Sequence, residues 1–197
     1  MGVYFFLYNS KTISYLEKEV KSLMQTLKSF PHDKDALSIN EKVIIGSVSS
    51  KNKSFEFFVD GRLLNFVGEF RLDNKEELRT LLCESKEISD TELILKLYLH
   101  QGEGFVNTLL GDFSFCIYDS KEDKVVCVRD YRGIKLLYYY QSEEFFITSD
   151  SIEVILVHPK ISSTLNDNII QEWLLNTSVF NQNDTFVGTQ RIWPPRV

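Results

Sequence analysis

The stretch that decides the fold runs from Gly111 to Ile155 and reads GDFSFCIYDSKEDKVVCVRDYRGIKLLYYYQSEEFFITSDSIEVI. It contains three runs rich in β-branched and aromatic residues, which are typical of strands in a sheet. Polar turns join the runs, and the turn between the second and third runs carries Arg129, Asp130, Gly133 and Lys135. We therefore predict three consecutive strands, with a compact turn before the third.

The composition is that of an ordinary globular protein that can form a sizeable core. The chain has 197 residues, of which 43% are apolar and 25% are charged. A chain of this length can bury roughly 70% of the surface that it exposes when unfolded. We expect a single domain over residues 1–197, which needs neither disulfides nor metals to hold it together.

The net charge and the N-terminal residues exclude several classes of protein. The net charge is −6, whereas a nucleic-acid-binding surface needs a basic stripe. No apolar run approaches the length of a membrane span. The apolar segment at residues 3–8 lacks the flanking features of a signal peptide, so we interpret it as a buried strand. We expect no nucleic-acid partner and no membrane partner.

The cysteines predict a cytoplasmic protein with reduced thiols. Cys83, Cys116 and Cys127 are odd in number and share no C-x-x-C spacing. Cys116 and Cys127 lie in apolar strand runs, where cysteine behaves as a small hydrophobic residue. We predict a structural role for each of the three.

Hydrophobic spacing and turn signals place further elements on both sides of the opening stretch. We predict helices over residues 14–30, 73–83, 89–101 and 166–175, and strands over residues 42–47, 54–59 and 62–70. Asp60-Gly61 is a hairpin signal, since glycine tolerates the positive φ of a primed turn. The segment Ser89–Glu92 has the pattern of a capping box. Strands in two groups, with helices between and after them, predict an α+β fold.

Short motifs along nearly the whole chain resemble those of one protein family. Residues 111–115 are similar to its G-x-F-A-F strand, residues 129–135 to its R-D-R-x-G-x-K turn, and residues 146–150 to its F-A-S-E segment. Further motifs follow the same order at residues 67–71, 89–92 and 192–195. The chain therefore resembles the N-terminal glutaminase domain of asparagine synthetases, a class II (Ntn-type) glutamine amidotransferase. The resemblance implies a four-layer αββα sandwich of two antiparallel sheets flanked by helices.

The resemblance also implies where glutamine would be hydrolysed, and this chain departs from the family there. Family members attack glutamine with an N-terminal cysteine whose own α-amino group serves as base. Here Gly2 stands at that place and has no side chain to attack a carbonyl. In the oxyanion motif N-G-E, Val67 replaces the asparagine while Gly68 and Glu69 are kept. The family's carboxylate-binding arginine has no counterpart in the related segment at residues 32–35.

These departures predict a glutaminase-like domain that is catalytically inactive. Loss of one oxyanion donor typically lowers a rate by about 10²–10³-fold, and loss of the nucleophile costs more. We predict no catalytic residue here, and we interpret Gly2, Val67, Gly68 and Glu69 as vestigial glutamine-site positions. The histidines lie far apart without a second ligand at metal-like spacing, so we assign no metal. The turn at residues 129–135 is expected to be a scaffold or docking feature rather than a phosphate site.

The resemblance further implies the partners and cofactors of the parent enzyme. In asparagine synthetases an ATP-dependent synthetase domain follows the glutaminase domain; we expect it to be absent from this chain and to act in cis or in trans. ATP and Mg are expected in that domain, and no cofactor in this one. Lasso-peptide macrolactam cyclases and β-lactam synthetases are relatives with an inactive glutaminase half, which makes a precursor peptide a further candidate partner. An active glutamine-hydrolysing asparagine synthetase domain and a free-standing module that binds a peptide or partner protein are the alternatives.

Overall fold

The fold is taken from a computed structural model, which describes residues 2–10, 17–31, 34–50, 54–84, 87–175 and 190–191. In chain order the elements are β1 (Val3–Asn9), α1 (Glu17–Leu27), β2 (Lys34–Ile39), β3 (Val43–Ser49), β4 (Glu56–Val59), β5 (Arg62–Leu72), α2 (Lys75–Leu82), α3 (Asp90–Gln101), a 3₁₀ helix (Gly102–Thr108), β6 (Gly111–Asp119), β7 (Lys124–Arg129), β8 (Tyr138–Gln141), β9 (Phe145–Ser149), α4 (Ile152–Leu156), α5 (Asp167–Leu174) and β10 (Gln190–Arg191). They group into two compact units, one formed by residues 1–53 with 136–197 and the other by residues 54–135.

The first unit is built on an antiparallel sheet with the strand order β10-β8-β9-β1-β3-β2. The N-terminal strand β1 is central in this sheet, because it pairs with β3 on one side and with β9 on the other. Phe5 and Leu7 of β1 contribute to a core that includes Leu23 and Leu27 of α1. The apolar segment at residues 3–8 is therefore the buried strand that the sequence predicts.

The second unit is built on an antiparallel sheet with the strand order β4-β5-β6-β7. Its core joins one face of the sheet to α2, α3 and the 3₁₀ helix. Aromatic rings fill this core: the ring centroid of Phe115 lies 5.2 Å from that of Phe66 and 6.2 Å from that of Phe105. The predicted hairpin between β4 and β5 is confirmed, since Asp60 and Gly61 both have positive φ angles, of 48° and 77°.

The capping box at the start of α3 is confirmed. The Ser89 hydroxyl accepts the backbone N–H of Glu92 at 3.2 Å, and the Glu92 carboxylate accepts the backbone N–H of Ser89 at 3.1 Å. Asn74 occupies the N-cap position of α2, but its side chain does not cap the helix. Its amide group instead donates to the carbonyl of Thr108 at 2.9 Å and accepts from the N–H of Leu110 at 3.1 Å. Asn74 thus connects the start of α2 to the segment that leads into β6.

The structure differs from the sequence predictions in three respects. The third run of the opening stretch is not one strand but the hairpin of β8 and β9, which reverses at residues 142–144. Moreover, β6 and β7 belong to the second sheet whereas β8 and β9 belong to the first. The prediction also missed β2, a strand with alternating exposure whose residues KDALSI carry few strand-forming side chains.

The predicted fold class is confirmed: the protein is α+β, with two antiparallel sheets that each have flanking helices. Of the helices in the described part of the chain, none is both long enough and apolar enough to cross a membrane.

Candidate functional site

The residues around the start of β1 are held in place by the segment that resembles F-A-S-E. The backbone N–H of Tyr4 donates to Asp150 Oδ1 at 3.0 Å, and the hydroxyl of Ser149 donates to the carbonyl of Tyr4 at 2.6 Å. Gly2, which directly precedes β1, is buried. Hydrogen bonds thus fix the backbone at the start of β1, and the residue before this strand, Gly2, has no side chain.

The other positions that the sequence comparison with the family singles out, Val67, Gly68 and Glu69, lie in the middle of β5, in the second unit. Val67 is opposite Cys116 of β6, Gly68 is opposite Phe115, and Glu69 is opposite Ser114. The side chain of Val67 is only 1% exposed and is a branched hydrocarbon, so it offers no hydrogen bond to an oxyanion. These three residues are consecutive in the chain, whereas Gly2 belongs to the other unit.

Packing alone requires a glycine at position 68. A Cβ atom on Gly68 would lie 2.2 Å from Cβ of Phe115 and 2.5 Å from the carbonyl oxygen of Ser114. Real Cβ atoms essentially never approach other atoms so closely. The presence of Gly68 is therefore explained by the close approach of β5 and β6, and it is no sign of a retained oxyanion hole.

The turn at residues 129–135 is held by hydrogen bonds from both of its buried charged side chains. The Arg129 guanidinium donates to the carbonyls of Gly133 and Lys135, each at 2.5 Å. The Asp130 carboxylate accepts the backbone N–H groups of Ile134 and Lys135, each at 3.0 Å. Gly133 supplies the left-handed backbone that the turn requires, with φ of 63°. Four hydrogen bonds from neighbouring side chains thus fix one short loop.

The hydrogen bonding of the turn separates its buried base from an exposed tip. Arg129 and Asp130 are both buried, so these charges are directed at the backbone of the turn. The side chains of Tyr131 and Ile134 are 62% and 53% exposed, which leaves an aromatic and an aliphatic group at the surface. A phosphate would have to compete with backbone carbonyls for Arg129. The scaffold or docking role of this turn stays a prediction that this geometry favours.

The segment related to the carboxylate-binding motif lies only partly within the described residues. His32 and Asp33 fall outside them, while Lys34 and Asp35 begin β2. The Asp35 carboxylate forms an exposed ion pair with Lys28 at 2.8 Å. Among the described residues, no group of three or more histidine, cysteine or acidic side chains is arranged to hold a metal ion.

His158 is a buried histidine that packs against an aromatic ring and accepts a backbone hydrogen bond. Its ring stacks on that of Phe145 with a centroid distance of 4.3 Å, and its Nδ1 accepts the backbone N–H of Lys160 at 3.4 Å. Burial, with a smaller contribution from the positive charge of Lys160, lowers the pKa of His158 from 6.5 to about 4. The folded protein therefore keeps this imidazole neutral under mildly acidic conditions.

We expect His158 to make the protein less stable as the pH falls from 6.5 towards 4. Because the folded-state pKa is depressed, the unfolded chain binds a proton in this range that the folded protein does not, and unfolding is favoured. At pH 4.5 the loss should be about 2 kcal/mol. Urea unfolding at pH 7 and pH 4.5 measures it, with His158→Asn removing that loss. The exposed His100 serves as control through His100→Gln, and equal pH dependence in wild type and His158→Asn would contradict the assignment.

A cleft of about 580 Å³ lies within the second unit, beside the hairpin of Asp60. Its basic side chains include Lys96, which lies 2.5 Å from Glu84 and 3.5 Å from Asp60, and Arg62, which pairs with the buried Asp119 at 3.1 Å. The cleft has mixed charge, so it lacks the concentrated positive potential that an anion site needs. Sequence reasoning missed it because its residues come from separate elements and look individually like solvated surface charges.

Comparison with solved structures shows which known fold this chain shares. The chain superimposes on the glutamine phosphoribosylpyrophosphate amidotransferase of Bacillus subtilis with a TM-score of 0.60 and 15% identity, over 80% of this chain and 43% of that one. At this identity the likeness speaks for the fold alone, which is that of an Ntn-type amidotransferase.

Sequence comparisons define the family. The glutamine amidotransferase domain family matches residues 37–197. The glutamine-hydrolyzing asparagine synthetase 2 of Bacillus subtilis is 33% identical over 141 residues, covering 68% of this chain and 19% of that protein. Asparagine synthetase B of Escherichia coli is 39% identical over 64 residues, covering 32% of this chain and 12% of that protein. The chain belongs to the glutamine amidotransferase domain family and is of the asparagine synthetase type. It spans less than a third of the length of these relatives.

Proposed function

We propose that this chain is a glutaminase-like domain that does not hydrolyse glutamine and that supports an ATP-dependent, amide-forming enzyme of the asparagine synthetase type. The observation that carries the proposal is Val67, a buried hydrocarbon side chain at the position where the family's oxyanion motif has an asparagine. A tetrahedral intermediate formed here would lack that donor, at a cost of about 10²–10³-fold in rate.

The positions of the three cysteines and of Gly2 support the same proposal. Hydrolysis through an acyl intermediate needs a thiolate, a base and an oxyanion site around one carbonyl. Gly2 brings no thiol to the start of β1. Cys83 lies at the exposed C-terminal end of α2, and Cys116 and Cys127 lie within paired strands. These positions belong to other parts of the scaffold than the one that the family uses.

The remaining role of such a domain is structural or docking. The turn at residues 129–135 is suited to it, because hydrogen bonds of the buried Arg129 and Asp130 fix its base while Tyr131 and Ile134 are presented to solvent. The partner is a synthetase domain, in cis or in trans, which binds ATP and Mg. A lasso-peptide macrolactam cyclase or a β-lactam synthetase-like enzyme fits best as parent, since the attacking amine is then part of the substrate and no ammonia is needed. In the cyclase case, a precursor peptide is a further partner.

We expect the purified chain to release no glutamate or ammonia from glutamine above a protein-free blank. The physical reason is the loss of a nucleophile before β1 combined with the buried Val67. A coupled glutamate dehydrogenase assay measures the product, and circular dichroism shows that the assayed protein is folded. The Bacillus subtilis asparagine synthetase 2 serves as the active control.

Turnover of glutamine by the folded chain would overturn the proposal and favour the active-glutaminase alternative. Such turnover would then be traced with Cys83→Ser, since Cys83 is the exposed thiol among the three. Tight binding of a peptide without any synthetase polypeptide would instead favour the free-standing module.

A further inference from the structure

Two thiols of the second sheet face each other across neighbouring strands. Cys116 of β6 and Cys127 of β7 are directly opposed in the antiparallel register. Their Sγ atoms lie 3.0 Å apart, and neither residue is part of a disulfide. This contact is close enough for one thiol to donate a weak hydrogen bond to the other. The pair thus forms a preorganised dithiol in a protein whose cysteines the sequence suggests are inert.

The backbone positions of these cysteines fit the geometry of a disulfide. Directly opposed residues of an antiparallel pair have Cα atoms about 4.5–5.5 Å apart, which falls inside the usual disulfide range of about 4.4–6.8 Å. The sulfur atoms need to approach by only about 1 Å to reach bonding distance. Cys127 lies on β7. In the described part of the chain, β7 is an edge strand of the sheet β4-β5-β6-β7, so the side of β7 that faces away from β6 is not paired within that sheet.

Exposure distinguishes the two thiols. Cys116 is fully buried between β5 and β7, whereas Cys127 is only partly buried. A small oxidant therefore meets Cys127 first. Cys116 is then the resolving thiol, because it is the nearest nucleophile and solvent has little access to it.

We propose that Cys116 and Cys127 form a redox-sensitive dithiol that a low-molecular-weight disulfide converts into a cross-strand disulfide. The Cys127 thiolate attacks one sulfur of the oxidant, forms a mixed disulfide and expels one thiolate. The Cys116 thiolate then attacks Cys127 Sγ, and the second thiolate of the oxidant leaves. The protein loses two electrons and two protons, and one oxidant disulfide becomes two thiols.

The bond would act on two features already described. Cys127 lies two positions before Arg129, so a link to β6 would fasten the strand that leads into the turn at residues 129–135. Val67 is opposite Cys116 on the other side, so the bond would extend a row that includes a vestigial glutamine-site position. Oxidation would thereby stabilise the edge of the sheet without involving glutamine chemistry. The proposal does not rest on the proposed function.

The test uses the full chain carrying Cys83→Ser, which removes the exposed third thiol and leaves the pair intact. The folded protein is incubated with oxidised glutathione and then alkylated under denaturing conditions. We expect neither remaining thiol to react with the alkylating reagent, and the intact mass to be about 2 Da below that of the reduced protein. Dithiothreitol is expected to restore both thiols. Peptide mapping is expected to yield one cross-linked species that contains Cys116 and Cys127.

Two results would overturn the proposal. One is a glutathione adduct that persists on Cys127, since a resolving thiol 3.0 Å away should displace it. The other is full alkylation of both thiols after the incubation. The variant Cys83→Ser/Cys127→Ser serves as control and is expected to keep Cys116 alkylatable. If that variant does not fold, the mass and the peptide map of the Cys83→Ser protein decide alone.

Discussion

Replacement of Gly68 by alanine is expected to destabilise the protein by about 3–5 kcal/mol, which is at the upper end for a single substitution. The new Cβ would lie 2.2 Å from Cβ of Phe115, 2.6 Å from its Cα and 2.5 Å from the carbonyl oxygen of Ser114. Two of these atoms belong to the backbone of β6, so a rotamer change cannot relieve the contact. The paired strands must separate locally, which breaks ladder hydrogen bonds and disturbs the ring packing of Phe115.

Urea unfolding followed by circular dichroism measures this loss, and Gly104→Ala is the matched control. A Cβ on Gly104 would meet nothing within 4 Å, so the same chemical change there should leave the free energy of unfolding within about 0.5 kcal/mol. Similar stabilities of the two variants would show that β5 and β6 do not approach as described. A large difference would also show that the fold needs Gly68 whether or not the domain hydrolyses glutamine.

Much of the fold follows from local patterns in the sequence. Alternation in β6 turns Phe113, Phe115 and Ile117 towards one core, and the Asp60-Gly61 turn and the Ser89–Glu92 box act within a few residues. The missed features depend on distant contacts. The strand β2 forms by pairing with β3, and the amide of Asn74 is used by Thr108 and Leu110 rather than by its own helix.

Less of the candidate site could be predicted, because motif resemblance does not say what a side chain touches. The cations of the turn at residues 129–135 invited a phosphate interpretation, and only the structure shows the Arg129 guanidinium on the carbonyls of its own loop. The opposed thiols could have been found. A hairpin that pairs Asp119 with Lys124 must also pair Cys116 with Cys127, three residues further along each strand.

Replacement of Asp130 by asparagine is expected to destabilise the protein by about 3 kcal/mol. The carboxylate is 1% exposed and accepts two backbone N–H groups, those of Ile134 and Lys135. An asparagine has a single acceptor oxygen, and its amide nitrogen would meet the second N–H donor to donor. The substitution also removes a buried negative charge next in sequence to the guanidinium of Arg129. The substitution should therefore weaken the hydrogen bonds that Asp130 and Arg129 make to the loop, even though the side chain at position 130 keeps its size.

The control for this prediction is Asp112→Asn, the same change at a surface ion pair. Asp112 lies 2.8 Å from the guanidinium of Arg71, whose side chain is 64% exposed, and such pairs are worth at most about 1 kcal/mol. Urea unfolding of both variants gives the comparison, and limited proteolysis after Tyr131 or Arg132 reports on the turn itself. Faster cleavage in Asp130→Asn, with Asp112→Asn cleaved like wild type, is the expected pattern. Equal losses of stability in the two variants would mean that the Asp130 carboxylate does not hold the turn, and the case for a rigid docking feature would fail with it.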